Sequence, residues 1–230
     1  MSTTATNFTK ITHDAVKSLV VVPPYEPKST LSQWVRGAIR ERGPGYSRDF
    51  IITGPKLTIT YSGCKWNKLV FNADSSSSTQ SFIAFLEAVD DHFWQSICTN
   101  CDKYKPGAKT SARFTHDGEV VKPSSDPSLY PDEIRTRLSS KRQQADINGD
   151  IQYLDVVDAV LTNVSTLENV EPSAIKAGGS IIPVIKFSYY RNIEKFGLVL
   201  TVLKGVYYPP AESPSATLSN ADWQMDITCD

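Results

Sequence analysis

The chain has 230 residues, of which 40% are hydrophobic and 21% charged, with 24 lysines and arginines against 25 aspartates and glutamates. That size suits one large domain or two small ones with a sizeable core. The apolar runs around Val20 and Ile181 are short and soon broken by proline, which excludes a membrane-spanning helix. A net charge of −1 argues against a strongly basic nucleic-acid protein, but the average hides an asymmetry. Residues 209–230 carry Glu212, Asp222, Asp226 and Asp230 and no lysine or arginine, while the remaining 208 residues are net +3. MSTTATNFTK lacks the basic and apolar regions of a signal peptide, so an intracellular chain, nuclear or cytoplasmic and not secreted, is expected. Cys64, Cys98, Cys101 and Cys229 then read as reduced thiols.

In chain order, the polar and proline-punctuated residues 1 to about 30 predict an extended arm with at most one strand at Leu19–Val22. STLSQWVRGAIRER predicts a short helix capped at Ser29 or Thr30 and ended by Gly43-Pro44-Gly45. From Phe50 the pattern turns to β: Leu57, Ile59 and Tyr61 alternate, and KWNKLVFNA supplies a partner strand. After Ser75–Ser78 the spacing of Phe82, Phe85, Leu86, Val89 and Phe93 predicts the strongest helix, with Glu87, Asp90 and Asp91 on its opposite face. One strand is expected at Ser111–Phe114. LYPDEIRTRLS follows, with Ile134 and Leu138 inward and Arg135 and Arg137 outward. SSKRQQADINGD reads as a polar loop. Over IQYLDVVDAVLTNV (151–164) periods of two and 3.6 compete; a strand is expected at its start and the rest stays open. After a bend at Gly178-Gly179, a hairpin with strands near 182–190 and 196–207 closes the folded part. In it Ile185, Phe187 and Tyr189 share one face, Lys186, Ser188 and Tyr190 share the other, and Gly197 permits a bend or a close approach. Beyond Pro209-Pro210 the tail reads as disordered. This order suits a small, partly open β-barrel with a helix inserted between strand groups.

Phosphate-cradle, zinc-protease and nucleophile-elbow motifs are missing. Cys98 and Cys101, flanked by His92 and His116, offer the ligand types of tetrahedral zinc, yet one CxxC is a weak signal. No metal and no cofactor is therefore expected. DINGDIQYLDVVD (146–158) departs from a calcium loop, with glycine at its fourth position and Val157 at its twelfth. What remains is aromatic and basic interleaving, as single-stranded nucleic acid requires: phosphates follow a cationic groove and bases stack on rings. It occurs at Tyr61, Lys65, Trp66 and Lys68; at Lys105, Lys109, Arg113 and Phe114; at Arg135 and Arg137; and at Lys186, Tyr190 and Lys204. The competing explanation is that aromatics suit strands anyway and lysines decorate exposed strand faces.

The C-terminal hairpin, IIPVIKF followed by EKFGLVLTVLKGVYY, resembles the OB-fold single-stranded-DNA-binding proteins of large nuclear–cytoplasmic DNA viruses. These are relatives of the helix-containing single-stranded-DNA-binding proteins of short-tailed phages. The likeness extends back through SFIAFLEAVDDHFWQSI, similar to that family's inserted helix, and LYPDEIRTRLS, similar to its proline-led basic strand. The resemblance implies a mainly β, OB-like barrel with one inserted helix over residues 50–208. An N-terminal arm (1–49, with a possible short helix) precedes it and an acidic tail (209–230) follows it. It implies sequence-independent single-stranded-DNA binding in viral DNA replication or recombination, without catalysis. It further implies a tail that recruits replication proteins and fills the empty groove, here through Asp222, Trp223, Asp226 and Asp230. The tail ends in Cys229-Asp230 where the family often ends in an aromatic residue. No membrane partner is expected, and a homo-oligomer is a further expectation. The alternative is a β-rich assembly protein such as a capsid or virion subunit, favoured by near-neutral charge and the N-terminal arm.

Overall fold

The structure, a computed structural model, describes residues 5–24, 34–43, 45–63, 67–117, 120–124, 126, 131–147 and 150–211. Asp222, Trp223, Asp226 and Asp230, expected to form a partner-binding tail, lie outside it, as do Lys65 and Trp66. No helix among the described residues is long and apolar enough to cross a membrane.

The N-terminal stretch holds more structure than the single strand expected. β1 (Thr6–Asn7), a 3₁₀ turn at Phe8–Lys10, α1 (His13–Lys17) and β2 (Val20–Val22) follow one another. Thr12 caps α1 by accepting the Ala15 amide at 3.2 Å. Phe8, Val16, Leu19 and Val21 are buried in the same core as the barrel.

β3 (Trp34–Gly43) and β4 (Tyr46–Asp49) form a hairpin where a short helix was expected. Val35, Gly37 and Ile39 form a period-two inner face that Gly37 disguises, because the ring of Tyr189 from a neighbouring strand occupies the space a side chain at Gly37 would take. Gly43-Pro44-Gly45 thus separates two strands instead of ending a helix, with Gly45 at φ 73°.

β5 (Ile51–Thr53), β6 (Leu57–Gly63) and β7 (Lys68–Asn72) come next, then α2 (Ser77–Thr99). Ser76, inside the serine run, caps α2 by accepting the Thr79 amide at 3.3 Å. Phe82, Leu86, Val89, Phe93 and Ile97 of α2 are fully buried. α3 (Cys101–Tyr104) follows, and Ser111–Phe114 is turn where a strand was expected; the strand, β8 (Thr115–His116), starts one residue later. Then come β9 (Val121–Lys122) and β10 (Glu133–Leu138). SSKRQQADINGD is not a loop: β11 (Ser140–Ile147) and β12 (Asp150–Val157) pair over eight register positions. No apolar alternation announces this ribbon, though Asn148-Gly149 is a strong short-range hairpin signal. β13 (Val160–Asn163), β14 (Ser180–Asn192) and β15 (Lys195–Tyr208) complete the chain.

Five strands close a ring in the order β6–β7–β10–β15–β14 and back to β6, with β10–β15 its one parallel pair. The molecule is mainly β, an OB-like barrel with α2 inserted between β7 and β10. β14 organises the seam: along its length it pairs first with β6, then with β5, then with β3.

Asp90, expected on the exposed face of α2, is buried. Its Oδ1 lies 3.0 Å from His116 Nε2, and Trp94 stacks on the imidazole at 4.9 Å. The Asp90 hydrogen bond raises the His116 pKa, against the opposing effect of burial, and Asp91 and Asp117 add to the rise. A raised folded-state pKa stabilises the fold fully below the unfolded value of about 6.5. That stability is lost as pH climbs through the folded value. Urea midpoints are therefore expected to fall across this window, and Asp90→Asn is expected to flatten the fall. An unchanged pH dependence in Asp90→Asn would show that the pair does not couple folding to protons.

Candidate nucleic-acid interface

Residues opposite one another on paired strands share a face of the sheet. In β10, Ile134, Thr136 and Leu138 are buried while Arg135 and Arg137 are exposed, so the arginines mark the outer face of the barrel. Arg137 stands opposite Lys68 of β7 on one side and Thr201 of β15 on the other, and Thr201 stands opposite Lys186 of β14. Lys68, Arg137, Thr201 and Lys186 therefore form one row across four strands, about 14 Å long at the usual strand spacing. The row below it holds Arg135, Val70 and Tyr61.

A bulge on β6 aims one ring onto this face. Alternation would place Tyr61 inward with Leu57 and Ile59. An irregularity between Ile59 and Tyr61 turns the tyrosine outward instead, where it is 52% exposed. A second shift, between Val184 and Ile185, leaves Leu203 of β15 unpaired, while β14 keeps its own alternation, with Ile185 and Phe187 buried and Lys186 on the outer side.

At the other end of the row, the ring of Tyr190 lies over Gly197, where a side chain would collide with it. The close approach expected of Gly197 is thus made by an aromatic ring and by the carbonyl of Asp117. Tyr190 donates its hydroxyl to Asp117 Oδ2 at 2.6 Å. Burial first, then this bond and the carboxylate charge, raise the Tyr190 pKa, while nearby Arg137 lowers it. The ring is held still and stays neutral at working pH.

The remaining predicted residues divide. Lys105 binds Glu194 in the β14–β15 turn at 2.7 Å, and Arg113 lies near the same carboxylate. Lys109 is exposed in the segment after α3. Phe114 packs on Phe196 at 4.9 Å, so its ring belongs to the core edge more than to a stacking surface. Lys204 is exposed on β15 but stands apart from the row, opposite Val160 of β13. Arg135 is engaged by Glu133 at 3.1 Å.

The zinc ligand set is not assembled. His92 Nε2 bonds the Leu19 carbonyl at 2.9 Å, His116 is taken by Asp90, and Cys101 Sγ points to the Ala108 carbonyl at 3.3 Å. Among the described residues no group of three or more His, Cys, Asp or Glu side chains is placed to hold a metal.

Sequence reading missed Arg36, Arg40, Arg42, Tyr46 and Arg48, all on the β3–β4 hairpin that was read as a helix. VRGAIRERGPGYSR carries the same basic and aromatic interleaving as the segments that were singled out.

No protein-family model matches the sequence, and no curated protein matches it. Among solved structures, the fold is similar to gp2.5, a single-stranded DNA binding protein encoded by bacteriophage T7. The TM-score is 0.47 at 9% identity, covering 74% of this chain and 98% of that one. It is also similar to the single-stranded DNA-binding protein from bacteriophage Enc34, with a TM-score of 0.38 at 12% identity, covering 87% of this chain and 96% of that one.

Proposed function

We propose that this chain binds single-stranded DNA without sequence preference. It serves the replication or recombination of a viral genome, as a non-catalytic intracellular kin of the large nuclear–cytoplasmic DNA virus proteins. The observation that carries the reading is the cross-strand row of Lys68, Arg137 and Lys186, flanked by the exposed ring of Tyr61 and the half-buried ring of Tyr190. Cations spaced across a sheet neutralise successive phosphates, and a ring at each end offers a face for a base; neither reads sequence. The acidic residues from Glu212 to Asp230 compete for the same cations and contact replication proteins.

A second reading, assembly into a larger particle or homo-oligomer, has one observation in its favour. Val160, Leu167 and Val206 are exposed apolar residues on and beside β13.

Fluorescence anisotropy of a labelled oligo-dT at two salt concentrations tests the proposal. Binding at low salt should weaken with a log–log slope of about −0.7 for each phosphate contact. Absence of binding at low salt, both with the full chain and after deletion of residues 212–230, would sink it and leave assembly as the working reading.

A further inference from the structure

The basic surface does not stop at the barrel. β14 outruns the ring, and past Lys186 it pairs with β3, Ser188 opposite Ala38 and Tyr190 opposite Arg36. The face that carries Lys186, Ser188 and Tyr190 therefore continues as Arg36, Ala38, Arg40 and Arg42, while Val35 and Ile39 are buried on the other side. One carboxylate joins the two surfaces: Asp49 of β4 takes Lys186 Nζ at 2.6 Å on one oxygen and lies 3.5 Å from Arg40 Nε with the other. One carboxylate thus stands between two cations, one from the barrel and one from the hairpin, and leaves positive charge in surplus. Arg40 Nε is itself a buried atom with no hydrogen-bond partner, although most buried donors have one. On the hairpin's reverse face Glu41 pairs with Arg48, whose guanidinium lies 5.7 Å from the Tyr46 ring centre, so that side is internally matched. The unbalanced charge is on the face continuous with the barrel row.

We propose that the β3–β4 hairpin is a second segment of the single-strand path. DNA crosses the barrel over Lys68, Arg137 and Lys186, meets β3 at the Asp49–Arg40 junction and lies along its arginines, with Arg36 to one side of that junction and Arg42 to the other. This rests on the single-stranded-DNA reading above and adds to it the stretch from Arg36 to Arg42, about 20 Å for six residues at the rise of a strand. The partner is a flexible polyanion. A rigid duplex would have to follow both the curved barrel and the hairpin that leaves it.

The test compares the full chain with Arg36→Ala/Arg42→Ala across oligo-dT lengths from about 4 to about 24 nucleotides, a span that brackets single-barrel site sizes. Both arginines are exposed, and their replacement should leave the urea midpoint unchanged. The expected result is that the shortest oligonucleotide binds both proteins equally. The longest should bind the variant about 25-fold more weakly near 0.1 M salt, with a salt slope smaller by about 1.4. Arg42→Glu alone should reproduce the length-dependent loss. Equal length dependence and equal slopes in variant and parent would overturn the extension while leaving the barrel site intact. An equal loss at every length would also overturn it, because the hairpin would then belong to the primary site. If the unmutated chain binds no oligonucleotide at low salt, the underlying reading fails first and the extension with it.

Discussion

Replacing Lys68 and Arg137 together by alanine is expected to weaken oligo-dT binding about 25-fold near 0.1 M salt and to reduce the salt slope by about 1.4. The figure follows from counterion release: each phosphate neutralised on a single strand contributes a slope of about 0.7, which is about fivefold in affinity at that salt. These two residues are chosen because they face each other directly and both are exposed. Lys186, by contrast, is committed to Asp49, so its removal would also free a carboxylate beside Arg40. The double variant should unfold at the same urea concentration as the parent, since exposed side chains away from caps and networks alter stability by about 0.5 kcal/mol or less. A loss of affinity with an unchanged salt slope would mean that phosphates are not what the row contacts. Unchanged affinity would remove the row from the site altogether, whatever the protein binds elsewhere.

The three cations of that row were each legible in the sequence, but their adjacency was not. Arg137 and Thr201 meet through a parallel pairing of strands 64 positions apart, with Ser180–Asn192 and the β11–β12 ribbon between them in sequence. Parallel register leaves no local trace of the kind a hairpin turn leaves. The bulge at Thr60 is equally silent in the sequence. Tyr61 was a candidate for its ring, yet its alternation with Leu57 and Ile59 gives no sign of the extra residue that turns it outward.

Elements with a strong single period were read well. α2 was visible because five apolar side chains at helical spacing leave no strand alternative, and the C-terminal hairpin because long β-branched and aromatic runs flank a polar turn. The readings failed where tertiary pairing overrode a weak local pattern. Trp34–Gly43 has helix-tolerant residues and two glycines, and it becomes a strand because β2, β4 and β14 offer it partners on both edges. Asp90 looked like a solvent-facing carboxylate, since nothing near it in sequence announces His116. Both misreadings hid charge, and the first hid the arginines on which the extended path depends.

Phe187→Ala is expected to have the largest effect on stability of any change considered, about 3–5 kcal/mol. Its ring is fully buried on the inner face of β14, 5.0 Å from the ring of Phe50 and 6.2 Å from that of Phe85. Its amide donates to the Phe50 carbonyl at 3.1 Å, so the strand stays paired while the side chain is lost. The cavity opens between the α2 stripe and the barrel seam, lined by the rings of Phe50 and Phe85. Against a total stability of about 5–15 kcal/mol, such a loss brings the protein close to unfolding. For a domain of this size the melting temperature should drop by roughly 6–20 °C. Phe187 faces away from Lys186 along the same strand, and this separates the core from the site. At a temperature where the variant is still folded, its affinity for oligo-dT should match the parent's. A drop below about 1 kcal/mol would show that the aromatic cluster does not anchor β14 to α2. Weakened binding by a protein still fully folded would show that the inner and outer faces of that strand are not independent, and the outer row would then owe its geometry to the packing beneath it.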